Sequence, residues 1–470
     1  MKTKTIGLFL ALAISTVSVV YAAGEKPNLV VVMADQWRAQ AFGFAGDPNA
    51  KTPNLDKLAR EGIVMANAIS PIPVCTPARA TFMTGRRPLS HGLFMNDLML
   101  PLNEVTISEV LKNAGYDTAY IGKWHIDGHG RSNFIPKERR RGFDYWKVLE
   151  CTHNYSNSFY YADTPKKLKW EGYDAFAQTK DAIEYLKNRK GNTKPFFLML
   201  SFGPPHEPYH MVPTEIKQMF DPSKFVLRKN VPPDWEERAR NMLHGYYAHC
   251  FALDKCVGEL VSTIDELGLK DNTIIIFLSD HGDMLGSQGA QYKQRPYDES
   301  IRVPLIIRYP ALTNSNGKTL DALISMEDLM PTILGLCGVK IPPTVEGLDY
   351  SGYLRGGKNP GDNVKLISCV APFGQWLRSQ GGREFRGIRT ERYTYVRDIN
   401  GPWLFFDNKN DPFQMTNLVN NPQFKDIQKE LDDLLNKKLK ETKDEFKPAQ
   451  YYIKKWGYTV DTTGTVPYSP

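Results

Sequence analysis

The sequence predicts an α/β protein with a large, mostly parallel sheet sandwiched by helices and a smaller C-terminal α+β subdomain carrying an antiparallel sheet. Three observations carry this expectation. Continuous apolar runs at residues 28–34 (NLVVVMA) and 273–278 (TIIIFL) read as central strands, because a strand covered on both faces has no polar side. Strand-like and helix-like segments then alternate over about 300 residues, the signature of crossover connections. After Asn359 the texture changes to short β-rich segments separated by turns. At 470 residues the chain exceeds what one ordinary core organises. The expected divisions are 1–23 as a signal peptide, 24–358 as the large domain and 359–470 as the C-terminal subdomain.

Each element has a local reason. Lys2 and Lys4, an apolar run over 6–20 and the small residues Ala22 and Ala23 follow the order of a cleavable secretory signal. The run is too short for a membrane span, and no later stretch reaches spanning length. An exported protein, periplasmic or secreted, is expected. The first strand ends in Asp35. Thr52-Pro53 opens a helix carrying Leu55, Leu58 and Ala59 and closed by Gly62. Thr106 and Glu109 have capping-box spacing, and Gly115 stops that helix. Strands follow at 118–122, 195–202 and 273–278, the last preceded by a long amphipathic helix over roughly 241–267. Residues 303–309 read as a further strand and 325–336 as a capped helix. In the C-terminal part, 385–390 and 393–397 form a hairpin around Glu391-Arg392, with a third strand at 403–406 and a helix near 423–440.

Composition narrows the function. Hydrophobic residues make up 41%, which excludes a disordered, collagen-like or coiled-coil chain. The net charge of +7 is mild for this length, and the only dense basic run is 139–141. A dedicated nucleic-acid binder concentrates more charge than this, whereas an anionic small substrate suits it. The six cysteines are sparse for a disulfide scaffold, and no CxxC or Cys/His zinc spacing occurs. Cys250 and Cys256 fall on different faces of one helix.

In open α/β sheets, ligands bind beyond the carboxyl ends of the strands. The residues following the strands here are Asp35-Gln36, Lys123-Trp124-His125, Pro204-Pro205-His206 and Asp280-His281-Gly282-Asp283. Each has an ordinary structural explanation alone, as a cap or a solvated charge. Four at equivalent positions mark one edge of the sheet as a site. The sharpest segment is Cys75-Thr76-Pro77-Ala78-Arg79, continued by Ala80-Thr81-Phe82-Met83-Thr84-Gly85. A cysteine opening a helix sits at the positive end of its dipole, and Pro77 fits a first turn. Arg79, one turn on, directs a planar cation at the same site, where a thiolate would be nucleophilic.

This segment resembles the signature of the formylglycine-dependent sulfatases of the alkaline phosphatase superfamily, in which Cys-x-Pro-x-Arg directs oxidation of the cysteine to an aldehyde. Residues 27–35, Thr52-Pro53-Asn54-Leu55-Asp56, Gly122-Lys123-Trp124-His125, Pro205-His206 and Ser279-Asp280-His281-Gly282 resemble further family blocks in the same order. The resemblance implies an alkaline-phosphatase-like fold and a bacterial carbohydrate sulfatase. It also implies a formylglycine-generating maturation enzyme as partner. The implied metal ligands are Asp35, Gln36, Asp280, His281 and the oxidised Cys75, holding one Ca²⁺. Gln36 stands where many members carry a second Asp, and oxygen-rich ligands leave Mg²⁺ open.

The implied mechanism is hydrolysis through a covalent intermediate. One hydroxyl of the hydrated aldehyde attacks sulfur, while Arg79, Lys123 and Lys293 hold sulfate oxygens. His206 protonates the leaving oxygen, and His125 helps deprotonate the second hydroxyl as sulfate departs. Arg295 and Arg302 are alternative cations to Lys293.

For substrate, export and mild positive charge favour a sulfated mono- or oligosaccharide, from a glycosaminoglycan or mucin-type polysaccharide. The loop over 151–173 offers His153, Lys166, Lys167, Lys169 and several Tyr and Trp residues, which either contact a sugar or pack on the domain. Trp376, Arg378 and Arg383 form a second candidate patch. The alternatives are an arylsulfatase, a phosphonate or phosphodiester hydrolase of the same superfamily, and a non-catalytic glycan-binding relative. The presence of Cys75, Arg79, Lys123, His125 and His206 argues against the last.

Overall fold

The structure is a computed structural model describing residues 26–468. The expected signal segment lies outside the described residues. Eight main strands form the central sheet: β1 (Asn28–Asp35), β2 (Ile63–Ile69), β3 (Asp117–Lys123), β4 (Tyr145–Leu149), β5 (Phe196–Pro205), β6 (Thr273–Ser279), β7 (Leu305–Arg308) and β8 (Lys318–Ser325). Their order is β8-β2-β7-β6-β1-β5-β3-β4, with the short strand Arg302–Val303 also pairing with β2. β1 is central and parallel to both β5 and β6. Only β7 and Arg302–Val303 run against the rest, antiparallel to their neighbours.

Period-two alternation along β1 splits its side chains between two cores. Leu29, Val31 and Met33 face one, with Ala78, Phe82, Ile107 and Leu111 from helices α2 (Cys75–Thr84) and α3 (Ile107–Asn113). Val30, Val32 and Ala34 face the other, with α1 (Pro53–Glu61), α4 (Asp174–Lys187) and α5 (Glu236–Glu266). The capping box at Thr106 and Glu109 forms. The one at Ser325 is closed by Asp328 through a short 3₁₀ turn before α6 (Leu329–Leu336).

Strands β9 (Val364–Cys369), β10 (Phe385–Thr390), β11 (Tyr393–Asp398) and β12 (Gly401–Asp407) form a separate antiparallel sheet in sequence order. One face carries Ile367, Phe385, Val396 and Phe406 onto Ile69, Ile301 and Leu323 of the large unit. Its other face carries Ile388, Tyr395 and Phe405 onto Leu431, Leu435 and Leu439 of α7 (Lys425–Glu441). Helix α8 (Ala449–Trp456) then returns, burying Ala449, Tyr452 and Ile453 in the same core as α2. All six cysteines are free and buried.

Candidate active site

Because β1, β3, β5 and β6 are parallel neighbours, their carboxyl ends deliver Asp35, Lys123, His206 and Asp280 to one edge of the sheet. The N-terminus of α2 brings Cys75 to the same place, 1% exposed. The Cys75 Sγ lies 3.2 Å from His281 Nε2, 3.3 Å from Lys293 Nζ and 3.6 Å from Asp35 Oδ1. Burial opposes ionisation of this thiol, but Lys123, Lys293 and His281 bring its pKa well below the ordinary value.

Arg79 organises the carboxylates. Nε donates to Asp280 Oδ2 (3.0 Å), Nη2 to Asp35 Oδ2 (3.1 Å), and Nη1 to Ser201 Oγ (2.7 Å) and the Lys123 carbonyl (3.0 Å). Four of its five N–H donors are therefore committed within the protein, two of them to the carboxylates of Asp35 and Asp280. Lys123 Nζ donates to Asp35 Oδ2 at 2.6 Å. Burial works against the Asp35 carboxylate, yet Lys123, His206 and Arg79 hold it well below the carboxylate range. Asp280 moves the other way, raised by burial and by the neighbouring Asp35 charge.

Asp35, Cys75, Asp280 and His281 offer ligand atoms that all lie within 4.8 Å of one another. His281 Nδ1 faces the Gly282 carbonyl at 3.0 Å, an acceptor only, so Nδ1 carries the hydrogen. His281 Nε2 lies 3.5 Å from Asp35 Oδ1 and 3.6 Å from Asp280 Oδ1, an array of ligand atoms that a cation would reconcile. Gln36 adds an oxygen. Its amide nitrogen donates to Glu207 Oε2 (2.8 Å) and Asp283 Oδ2 (2.7 Å), which turns Oε1 towards Lys293 Nζ at 2.9 Å. Gln36 holds this pose with a positive φ of 69°. Carboxylate and amide oxygens with one imidazole nitrogen fit a hard divalent ion.

Of the three candidate cations, Lys293 reaches the Cys75 cluster. Its Nζ lies 2.7 Å from His206 Nε2, besides touching Cys75 and Gln36. Arg295 instead bonds the Gln291 and Lys293 carbonyls, and Arg302 lies 3.6 Å from Asp298. His206 Nδ1 donates to the Glu207 carbonyl at 2.8 Å. Burial lowers the His206 pKa, but Glu207 and Asp35 outweigh it and the net shift is upward.

His125 Nε2 lies 3.3 Å from Asp97 Oδ1, and Arg131 grips the same carboxylate through Nε (2.7 Å) and Nη2 (2.8 Å). His125 and Asp97 both have positive φ, 61° and 65°, uncommon for side-chain-bearing residues. Thr76 Oγ1 ties them together by donating to the His125 carbonyl (2.7 Å) and accepting from Asp97 N (3.3 Å). His125 Nδ1 is buried and has no hydrogen-bond partner. Its basicity is raised well above the ordinary value, against burial, by Cys151 and Asp97.

Asp97, Arg131, Ser201, Cys151 and Glu207 are site residues that sequence reasoning missed. Glu207 adjoins His206 and was within reach; Asp97 and Arg131 meet only in the fold and carry no local signal. Among the substrate candidates, exposed His153 stacks on His206 with ring centroids 4.7 Å apart. The aromatics of its loop instead pack inward, Tyr155, Trp170 and Tyr173 all being buried, while Lys166, Lys167 and Lys169 are exposed. Trp376 needs correcting as a sugar contact, whereas Arg378 keeps an exposed side chain. Trp376 is a core side chain of the C-terminal sheet, between Trp403 and the Arg295 guanidinium. Arg378 spends its guanidinium bidentately on Glu384. A cavity of about 650 Å³, lined by Glu207, Tyr209, His210, Arg238, Asn241 and Tyr292 among others, adjoins His206 and Lys293 along the chain.

Residues 27–339 match the sulfatase family, and residues 286–442 match the family described as N-sulphoglucosamine sulphohydrolase, C-terminal. The chain is 47% identical to an ulvan-active sulfatase of Formosa agariphila, over 92% of this chain and 85% of the relative. It is 31% identical to an endo-4-O-sulfatase of Bacteroides thetaiotaomicron, over 84% and 88% respectively. Among solved structures, a sulfatase from Bacteroides fragilis superimposes with a TM-score of 0.82 at 32% identity, covering 92% of this chain and 99% of that one.

Proposed function

Because the chain belongs to the sulfatase family and is a sulfuric ester hydrolase, we propose that it removes sulfate from a sulfated glycan at the cluster around Cys75. The carrying observation is the convergence of Cys75, Lys123, Lys293 and His206 on the carboxylates that Arg79 holds. The ulvan-active relative and a solved structure described in complex with its substrate D-glucosamine-2-N,6-O-disulfate support a sulfated saccharide as substrate. Ulvan is the first polysaccharide to test.

Cys75 is proposed to act as formylglycine, made by a maturation enzyme, whose hydrate supplies the attacking hydroxyl and a second hydroxyl for sulfate release. Asp35, Gln36, Asp280 and His281 would hold a divalent ion, for which the family favours Ca²⁺; when bound it supplies positive charge that lowers the cost of an ionised hydroxyl. Lys123 and Lys293 place buried ammonium groups where sulfate charge develops. His206 Nε2, which accepts from Lys293 Nζ, takes that proton and passes it to the leaving sugar oxygen. His125 presents Nδ1 as the base, its other nitrogen fixed by Asp97. We further propose export, on the order of charged, apolar and small residues at 1–23.

Peptide mass spectrometry and sulfate-release assays on protein from a host with the maturation system test this reading. Loss of the Cys75 thiol mass in parallel with appearance of activity is expected. Full activity from wholly unmodified Cys75 would overturn it.

A further inference from the structure

Three residues beyond Asp35, Arg38 turns towards α5 and into a second cavity of about 420 Å³. This cavity lies among residues 45–49, 226–231, α5 and the Pro412-Phe413 turn, and none of its lining side chains belongs to the Cys75 cluster. Arg38, Arg228, Lys229 and Arg302 line it with one carboxylate, Asp47; Arg228 is paired to Glu299 (2.9 Å) and Arg302 faces Asp298 (3.6 Å), neither of which lines the cavity. Asp47 itself is turned to Tyr247 Oη (2.6 Å) and the Asn49 N–H (2.9 Å).

Arg38 is the anomaly. It is 3% exposed, and among the described residues no carboxylate lies within 4.0 Å of it. Its guanidinium makes one long bond, Nη2 to Tyr247 Oη at 3.4 Å, and Nε has no partner. Beside it Gln40, 8% exposed, leaves both its amide nitrogen and its amide oxygen without partners. Asp47 and Glu299 favour its charge through space, but a buried guanidinium cannot deprotonate, and this one lacks the directly bonded acceptors that an anion from outside the chain would supply. Arg302, whose Nε also lacks a hydrogen bond, adds a second cation. The Phe413 ring, with Arg228 4.9 Å from its centroid, supplies a flat wall.

We propose that this cavity binds a small polyoxygen anion, either inorganic sulfate or the acidic group of a single sugar unit, between Arg38, Gln40 and Arg302. The volume is in the range of small-ligand sites and accommodates a sugar ring behind the anionic group. The inference stands on this cavity alone and not on the reaction proposed for Cys75.

Crystals of the full protein soaked in sodium selenate locate the anion by its anomalous signal, with the Cys75 site as an internal reference. A peak between Arg38 and Gln40 is expected in the wild type, absent in Arg38→Met and weakened in Gln40→Leu. Calorimetric titration of sodium glucuronate tests the sugar-borne source, with at least tenfold weaker binding expected in Arg38→Met if that source is used. Selenate density only near Cys75, or a cavity peak that persists in Arg38→Met, overturns the proposal.

Discussion

The two cation-rich regions that follow β1 are built on opposite terms. Around Cys75 the buried cations have fixed partners, Arg79 on Asp35 and Asp280, and Lys123 on Asp35. Around Arg38 the guanidinium has only a tyrosine hydroxyl. Asp174 is a third case, a buried carboxyl bonded by Ser158 with its Oδ1 unpartnered. Burial pushes its pKa up to about 8, so it keeps its proton and its charge disappears. An acid can resolve isolation in this way and arginine cannot. Pre-paired charge therefore marks a centre ready for chemistry, and unpaired arginine marks a place that waits for a ligand.

Breaking the pairing at Cys75 should have the largest effect. Asp280→Asn leaves Arg79 with one carboxylate and removes a metal-ligand oxygen, so bound metal should be lost and turnover should fall by at least about 10³-fold. Metal analysis of the purified protein beside a sulfate-release assay checks both, and full metal content with full turnover would remove Asp280 from the site. His206→Ala comes next. Hydrolysis of a sulfated sugar should fall by about 10²–10⁴-fold, because its alkoxide leaves badly, while a nitrophenyl sulfate should lose roughly tenfold or less. Equal losses on both substrates would assign the proton to Lys293 instead.

Asp97→Asn should reduce kcat by about 10–100-fold with little change in KM, since the amide no longer fixes which His125 nitrogen carries the hydrogen. Recovery in Asp97→Glu would support a positioning role. A large rise in KM would point to substrate contact.

Stability, not turnover, sharpens the unpaired side. The Asp174 pKa is raised from 3.8 to about 8, so between those values the unfolded chain has released a proton that the folded chain retains. Stability contributed by this group is thus present at low pH and declines as pH rises through that window. Asp174→Asn should flatten the pH dependence by up to about 4 kcal/mol between pH 5 and 8. Denaturant melts of both proteins across that range measure it, and parallel curves would mean that Asp174 is ionised in the folded state.

Much of this was readable in the chain because strand ends write themselves locally. β1, β5 and β6 are uninterrupted apolar runs, and the polar residues after them are the site. The Cys75–Arg79 spacing reads as a helix N-terminus with a cation one turn in, which it is. The antiparallel direction of β7 was not readable, since strand direction is set by connections and not by side-chain pattern. β2, β4 and β8 lie at or near the sheet margins, where burial is mixed and the apolar run is diluted. Asp97 and Arg131 are 34 positions apart on irregular segments, so nothing short of the fold joins them. Trp376 misled because an aromatic beside arginines suits a sugar platform and a cation–π core contact equally well.

The return of α8 to the core of α2 has a consequence for timing. Ala78 and Phe82, the inward neighbours of Cys75, share a core with Tyr452 and Ile453, which leave the ribosome 370 or more residues later. Such long-range closure is slow, and until it happens the segment around Cys75 lacks part of its packing. Once the fold closes, Cys75 is 1% exposed and no modifying enzyme can take hold of its backbone. The connectivity thus holds open an interval during synthesis in which the cysteine is accessible, and its last helix ends that interval.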